Sequence, residues 1–62
     1  MAYLAVNENG NEVMFKNEPY FDGRYGEWRD GKTYQYGIVL PKFSIIAITG
    51  KKITCEDEPI KI

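Results

Sequence analysis

The chain contains no histidine and only one cysteine, Cys55. One thiol cannot close an internal disulfide, and zinc centres are assembled from several Cys and His ligands, so neither kind of staple is available. Without histidine the usual serine or cysteine nucleophile lacks its neighbouring base, which excludes the common triads. Long apolar runs are missing too. No stretch approaches the ~20 apolar residues that span a bilayer, and the opening Met-Ala-Tyr-Leu-Ala-Val has neither the charged leader nor the long apolar core of a signal peptide. A cytosolic protein with a reduced thiol and no membrane partner is expected. Charge of one sign is equally scarce. Eight basic and nine acidic residues leave a net charge of −1, so no basic field exists for a duplex phosphate backbone, and bulk duplex nucleic acid is excluded as a partner.

Other chemistry fails on spacing. Gly23, Gly26, Gly31 and Gly37 do not form a phosphate-cradling G-x-G-x-x-G or Walker pattern and read as turns. The acids Glu56, Asp57 and Glu58 are adjacent, whereas oxygen-rich calcium loops space their ligands around a glycine, so the trio reads as a solvated turn. Paired carboxylates for glycoside hydrolysis need a cleft that 62 residues hardly supply. Cys55 reads as a small core residue beside Ile53. No enzyme, metal or cofactor is expected.

Aromatic rings are abundant. Nine occur in 62 residues, and six of them, Tyr20, Phe21, Tyr25, Trp28, Tyr34 and Tyr36, fall within one segment. A chain of this size forms one domain and buries roughly 60% of the surface its unfolded form exposes. With no staple available, stability must come from an aromatic core or from self-association, so a homo-oligomer is possible.

Alternation and turn chemistry organise the chain. Tyr3 to Val6 and Val13 to Phe15 alternate on either side of a polar run holding Asn9-Gly10, which predicts a hairpin with a loop longer than two residues. Lys16 to Gly26, with Pro19, Gly23 and Gly26, reads as the most mobile loop. Asp30-Gly31 reads as the turn of a second hairpin between Glu27-Trp28-Arg29 and the alternating Thr33 to Tyr36, which puts Tyr34 and Tyr36 on one face. Ile38 to Leu40 re-enters the sheet until Pro41 ends it. Ser44 to Gly50 reads equally as strand, from its β-branched residues, or as a short helix between an N-capping serine and a terminal glycine. Ile60 to Ile62 alternates as a final edge strand. The predicted fold is mainly β: a single small antiparallel sheet of four or five strands, with at most one short helix near residues 44–49.

The two ends, M-A-Y-L-A-V-N-x-x-G-x-E-V over Met1 to Val13 and L-P-K-x-S-I-x-x-I-T-G-K-K-I-T-x-E-D-E-P-I-x-I over Leu40 to Ile62, resemble a group of very small uncharacterised proteins of gut bacteria and their phages or mobile elements. Lys16 to Gly37 matches that group loosely, chiefly at Trp28 and Asp30-Gly31. In the group the late segment runs Pro-Lys-Gly-Ser into a short amphipathic helix, which implies helix over Ser44 to Thr49. This chain departs from it at Phe43, where the group has glycine, at Ile46-Ala47, where charges stand, and at Cys55, where an aromatic stands. The resemblance implies no activity, only a setting in which tiny proteins act by binding.

The candidate binding residues are Tyr20, Arg24, Tyr25, Trp28, Arg29, Tyr34, Tyr36 and Lys42. Trp, Tyr and Arg are the residues that dominate protein-binding hot spots. The same set can stack a base while an arginine fork or a lysine meets a phosphate. For most of these rings the alternative is simply the core of a small sheet. Two partners are therefore expected: a host protein that the chain binds and inhibits, or a small signalling nucleotide that it sequesters, the latter requiring an oligomer for concavity. A structural or regulatory domain is the third reading.

Overall fold

Leu4, Ala5 and Val6 are consecutive and all buried. Successive strand residues face opposite ways, so this strand must be covered on both sides. A computed structural model, which describes residues 2–62, shows what covers it. Strand β1 (Tyr3–Val6) pairs antiparallel with β2 (Glu12–Phe15). The polar run between them closes the hairpin, with Gly10 at φ 91 and the Asn7 N–H donating to the Asn11 carbonyl. Strands β3 (Pro19–Asp22) and β4 (Glu27–Asp30) form a separate hairpin. Strand β5 (Ile38–Leu40) adds to the outer side of β2, helix α1 spans Ser44–Thr49, and β6 (Ile60–Lys61) adds to the outer side of β1.

The fold is mainly β, with six strands in two antiparallel sheets and one short helix among the described residues. The four-stranded sheet runs β5-β2-β1-β6 and the second sheet is the β3-β4 pair. Leu4 and Val6 pack with Ile45 of α1 on one face, joined by Met14, Leu40, Ile53 and Ile60. Ala5, Val13 and Phe15 pack with Tyr3 and Trp28 on the other. The molecule is thus three layers: helix, sheet, hairpin.

The first hairpin, the helix over Ser44–Thr49 and the terminal edge strand stand where they were expected. The middle of the chain differs. The segment expected as a mobile loop supplies β3, and the second hairpin turns at Gly23–Gly26, where the Asp22 carbonyl accepts the Gly26 N–H at 2.9 Å. Asp30-Gly31 does not turn a hairpin, and Thr33 to Tyr36 is not a strand. Asp30 explains why. Its buried carboxylate accepts the N–H groups of Lys32 at 2.8 Å and Thr33 at 3.1 Å, and its carbonyl accepts that of Tyr34. Those bonds wind the chain into a turn, and Tyr34 at φ 60 breaks the alternation. The strands also divide between two sheets instead of one. Both faces of the β1-β2 pair are apolar, so a second layer is needed on each.

Two long-range contacts fix the layers. The Trp28 backbone N–H donates to Asn7 Oδ1 at 2.8 Å and its indole N–H to the Val6 carbonyl at 3.0 Å, pinning the second hairpin to the end of β1. On the other face, Glu12 pairs with Val6 across the strands and so points to the helix side. Its carboxylate accepts the N–H groups of Phe43 and Ile45, each at 2.6 Å, and closes the start of α1 from a strand more than thirty residues away. Phe43, the residue before the helix, has φ 70 and ψ 11 and no side-chain cap of its own.

Candidate functional site

The register of the second hairpin sets Tyr20 opposite Arg29 and Asp22 opposite Glu27. These four therefore share the outer face, while Pro19, Phe21, Trp28 and Asp30 share the face turned to the larger sheet. Trp28 meets Phe21 edge-on, with ring centroids 5.3 Å apart, and packs on the Ala5, Val13, Phe15 cluster. Of the candidate residues, Trp28 is thus a core and pinning residue.

Arg29 is the centre of the outer face. Its Nη2 lies 3.1 Å from Glu27 Oε1 and its Nε 3.3 Å from Asp22 Oδ2, the latter an ion pair without hydrogen-bond alignment. The guanidinium carbon sits 4.5 Å from the centroid of Tyr36 and 5.2 Å from that of Tyr25. Nη1 also donates to the Tyr34 carbonyl at 3.4 Å. Partial burial works against the charge, but the Tyr36 hydroxyl and the carboxylates of Glu27 and Asp22 outweigh it, so the Arg29 pKa is raised above its ordinary value. A guanidinium engaged in this way has no fork left for a phosphate.

Around it stand four exposed tyrosines. Tyr25, Tyr34 and Tyr36 are 61%, 65% and 68% exposed, and Tyr20, at 39%, meets Tyr34 edge-on at 6.0 Å. These rings are not core. Tyr25 comes from the Gly23–Gly26 turn, and Tyr34 and Tyr36 come from the loop that Asp30 shapes. Arg24 is exposed in the same turn, where its backbone N–H donates to Asp22 Oδ1, and no carboxylate among the described residues pairs with its side chain.

The structure brings together Tyr20, Arg24, Tyr25, Arg29, Tyr34 and Tyr36 on the hairpin, its turn and the adjoining loop. It turns Trp28 inward and leaves Lys42 elsewhere, on a groove beside α1. Asp22 and Glu27, which orient Arg29, were not among the sequence candidates. For Asp22 the missing signal was register: a turn at Gly23–Gly26 sets it across from Glu27 on the Arg29 face, whereas a turn at Asp30-Gly31 does not. Glu27 lies on that face by the period of two within Glu27-Trp28-Arg29. No helix among the described residues is long and apolar enough to cross a membrane. No family model, curated protein or solved structure matches the chain.

Proposed function

We propose that this chain is a non-enzymatic binding protein, a phage or mobile-element accessory that engages and inhibits a host protein in the host cytosol through its tyrosine face. The observation that carries the reading is the set of four exposed tyrosines held around an arginine already fixed by two carboxylates and two rings. Tyrosine brings large amphipathic contact area at low entropic cost, and rings ordered before binding lose less freedom on association. The resemblance of the chain's two ends supports the setting.

The nucleotide reading is weaker on this face. Arg29 cannot offer its fork without releasing Asp22 and Glu27, and those carboxylates repel a phosphate. The test is affinity capture from host lysate with native mass spectrometry, comparing the parent with Tyr34→Ser and Tyr36→Ser. A discrete protein held by the parent, lost with both tyrosine variants and retained by Lys42→Ala is the expected result. A bound nucleotide in its place, or capture indifferent to both tyrosines, overturns the proposal. Arg24→Ala should weaken that capture by roughly 1 to 3 kcal/mol if the guanidinium meets a partner carboxylate. Arg29→Ala is not a clean probe, because its removal also unpairs Asp22 and Glu27.

A further inference from the structure

A groove of about 590 Å³ lies on the opposite layer, between the β1-β2 loop, the start of α1 and the segment from Lys51 to Cys55. Its apolar lining is Val6, Phe43, Ile45, Ile46 and Ile53, with half-buried Cys55 at one side. Phe43 is 71% and Ile46 46% exposed, so part of this lining has no covering element. The volume falls within the roughly 300–1,000 Å³ typical of small-molecule sites.

Each wall is held by bonds of its own. Glu12 ties the start of α1 to β2. The Thr49 hydroxyl accepts the Lys51 N–H and donates to the Ile45 carbonyl, fixing the exit of the helix. Asp57 accepts the N–H of Thr54 at 2.7 Å. The walls of the groove are thus fixed by bonds within the chain.

Charge selects what it would take. Lys42, Lys51 and Lys52 all line the groove, and none pairs with a carboxylate among the described residues, where the ion pairs belong to Arg29. Of the two acids on the lining, Glu12 is engaged by two backbone N–H groups, and Glu8 leans on the hairpin turn, its carboxyl carbon 3.0 Å from where a Cβ on Gly26 would stand. Three unpaired ammonium groups beside an apolar floor complement an anion that carries an apolar body.

We propose that this groove is a binding site for a small amphiphilic anion, an apolar chain or ring ending in one carboxylate or phosphate, and that it is separate from the tyrosine face. The apolar body lies on Phe43, Ile46 and Ile53 and the head meets the lysines.

The test is an NMR amide titration with octanoate, 1-octanol and inorganic phosphate as probes. Octanoate is expected to shift Phe43, Ile46, Ile53 and Cys55 saturably and to leave Tyr25, Tyr34 and Tyr36 in place. Octanol, with the same chain and no charge, is expected to bind about tenfold more weakly, as is octanoate to the triple variant Lys42→Gln, Lys51→Gln, Lys52→Gln, the combined loss of a few exposed charge contacts. The triple variant should keep the parent melting temperature, since these lysines make no ion pair. Octanol binding as tightly as octanoate, the triple variant binding unchanged, or inorganic phosphate reproducing the same shifts with equal affinity each overturns the proposal. So does the absence of saturable shifts at the groove.

Discussion

Replacing Glu12 by glutamine changes one atom of the carboxylate, yet it should cost nearly as much stability as replacing it by alanine. Both oxygens of Glu12 accept backbone N–H groups, from Phe43 and Ile45, at 2.6 Å. A glutamine amide keeps one acceptor but presents an NH₂ to the second N–H, so one bond is lost and two donors are brought face to face. Hydrogen bonds to charged groups contribute about 1.5–3 kcal/mol when protected, and helix-capping bonds about 0.5–2 kcal/mol. Glu12 is half-buried and the Phe43 end of the contact is exposed. The lower part of both ranges therefore applies: about 1–2 kcal/mol for glutamine and about 1–3 kcal/mol for alanine. For a domain of this size each kcal/mol lowers the melting temperature by roughly 4–8 °C. Urea unfolding of the three proteins measures the difference, and amide exchange at Phe43 and Ile45 locates it, since alanine leaves both N–H groups without their acceptor and glutamine leaves one of the two. Glutamine matching the parent in stability and in the protection of both the Phe43 and Ile45 amides would refute the strap and return α1 to its own weak local capping.

Asp30 gives the chain an acid-sensitive step. Hydrogen bonds from the Lys32 N–H first, then from Thr33 and Asn17, outweigh burial and hold its carboxyl below the ordinary value of 3.8. A depressed folded pKa means stability that is complete above the unfolded value and lost as pH falls through the folded one. The difference in unfolding free energy between the parent and Asp30→Asn should be constant above about pH 5 and shrink below about pH 4; a difference that stays flat down to about pH 2 is incompatible with this account. Phe43→Gly should stabilise the chain by about 0.5–1 kcal/mol, because Phe43 is exposed at positive φ and the left-handed penalty of a side chain there exceeds the extra freedom glycine brings to the unfolded state. A lowered midpoint in urea would show instead that the ring contributes packing.

Local rules were enough for the two ends of the molecule. Alternation in Tyr3–Val6 and Glu12–Phe15 around Asn9-Gly10 defines the first hairpin, because a period of two and a positive-φ turn are properties of neighbouring residues. The six-residue helix was equally a strand on local grounds, and its position follows from Ile45 entering the core with Leu4 and Val6 and from the Glu12 strap. In the middle, Pro19, Gly23 and Gly26 made Lys16 to Gly26 read as a loop and left Asp30-Gly31 as the hairpin turn, whereas the structure turns the hairpin at Gly23–Gly26. Aromatic and arginine content named most of the candidate face, but which rings are outside was undecided until register was known. The choice fell to tertiary contacts, Trp28 bonding Asn7 and Val6 and Asp30 bonding Asn17, together with the local bonds from the Lys32 and Thr33 N–H groups to Asp30. Alternation and turn chemistry determined that the protein is mainly β, and composition that it lacks histidine chemistry and is rich in aromatic rings. Only the packing of the second hairpin on the first decided that Trp28 is core, that Arg29 is tied down by Asp22 and Glu27, and that the tyrosines face out, because those partners are set by which strand face a residue occupies and that face is fixed by contacts distant in sequence.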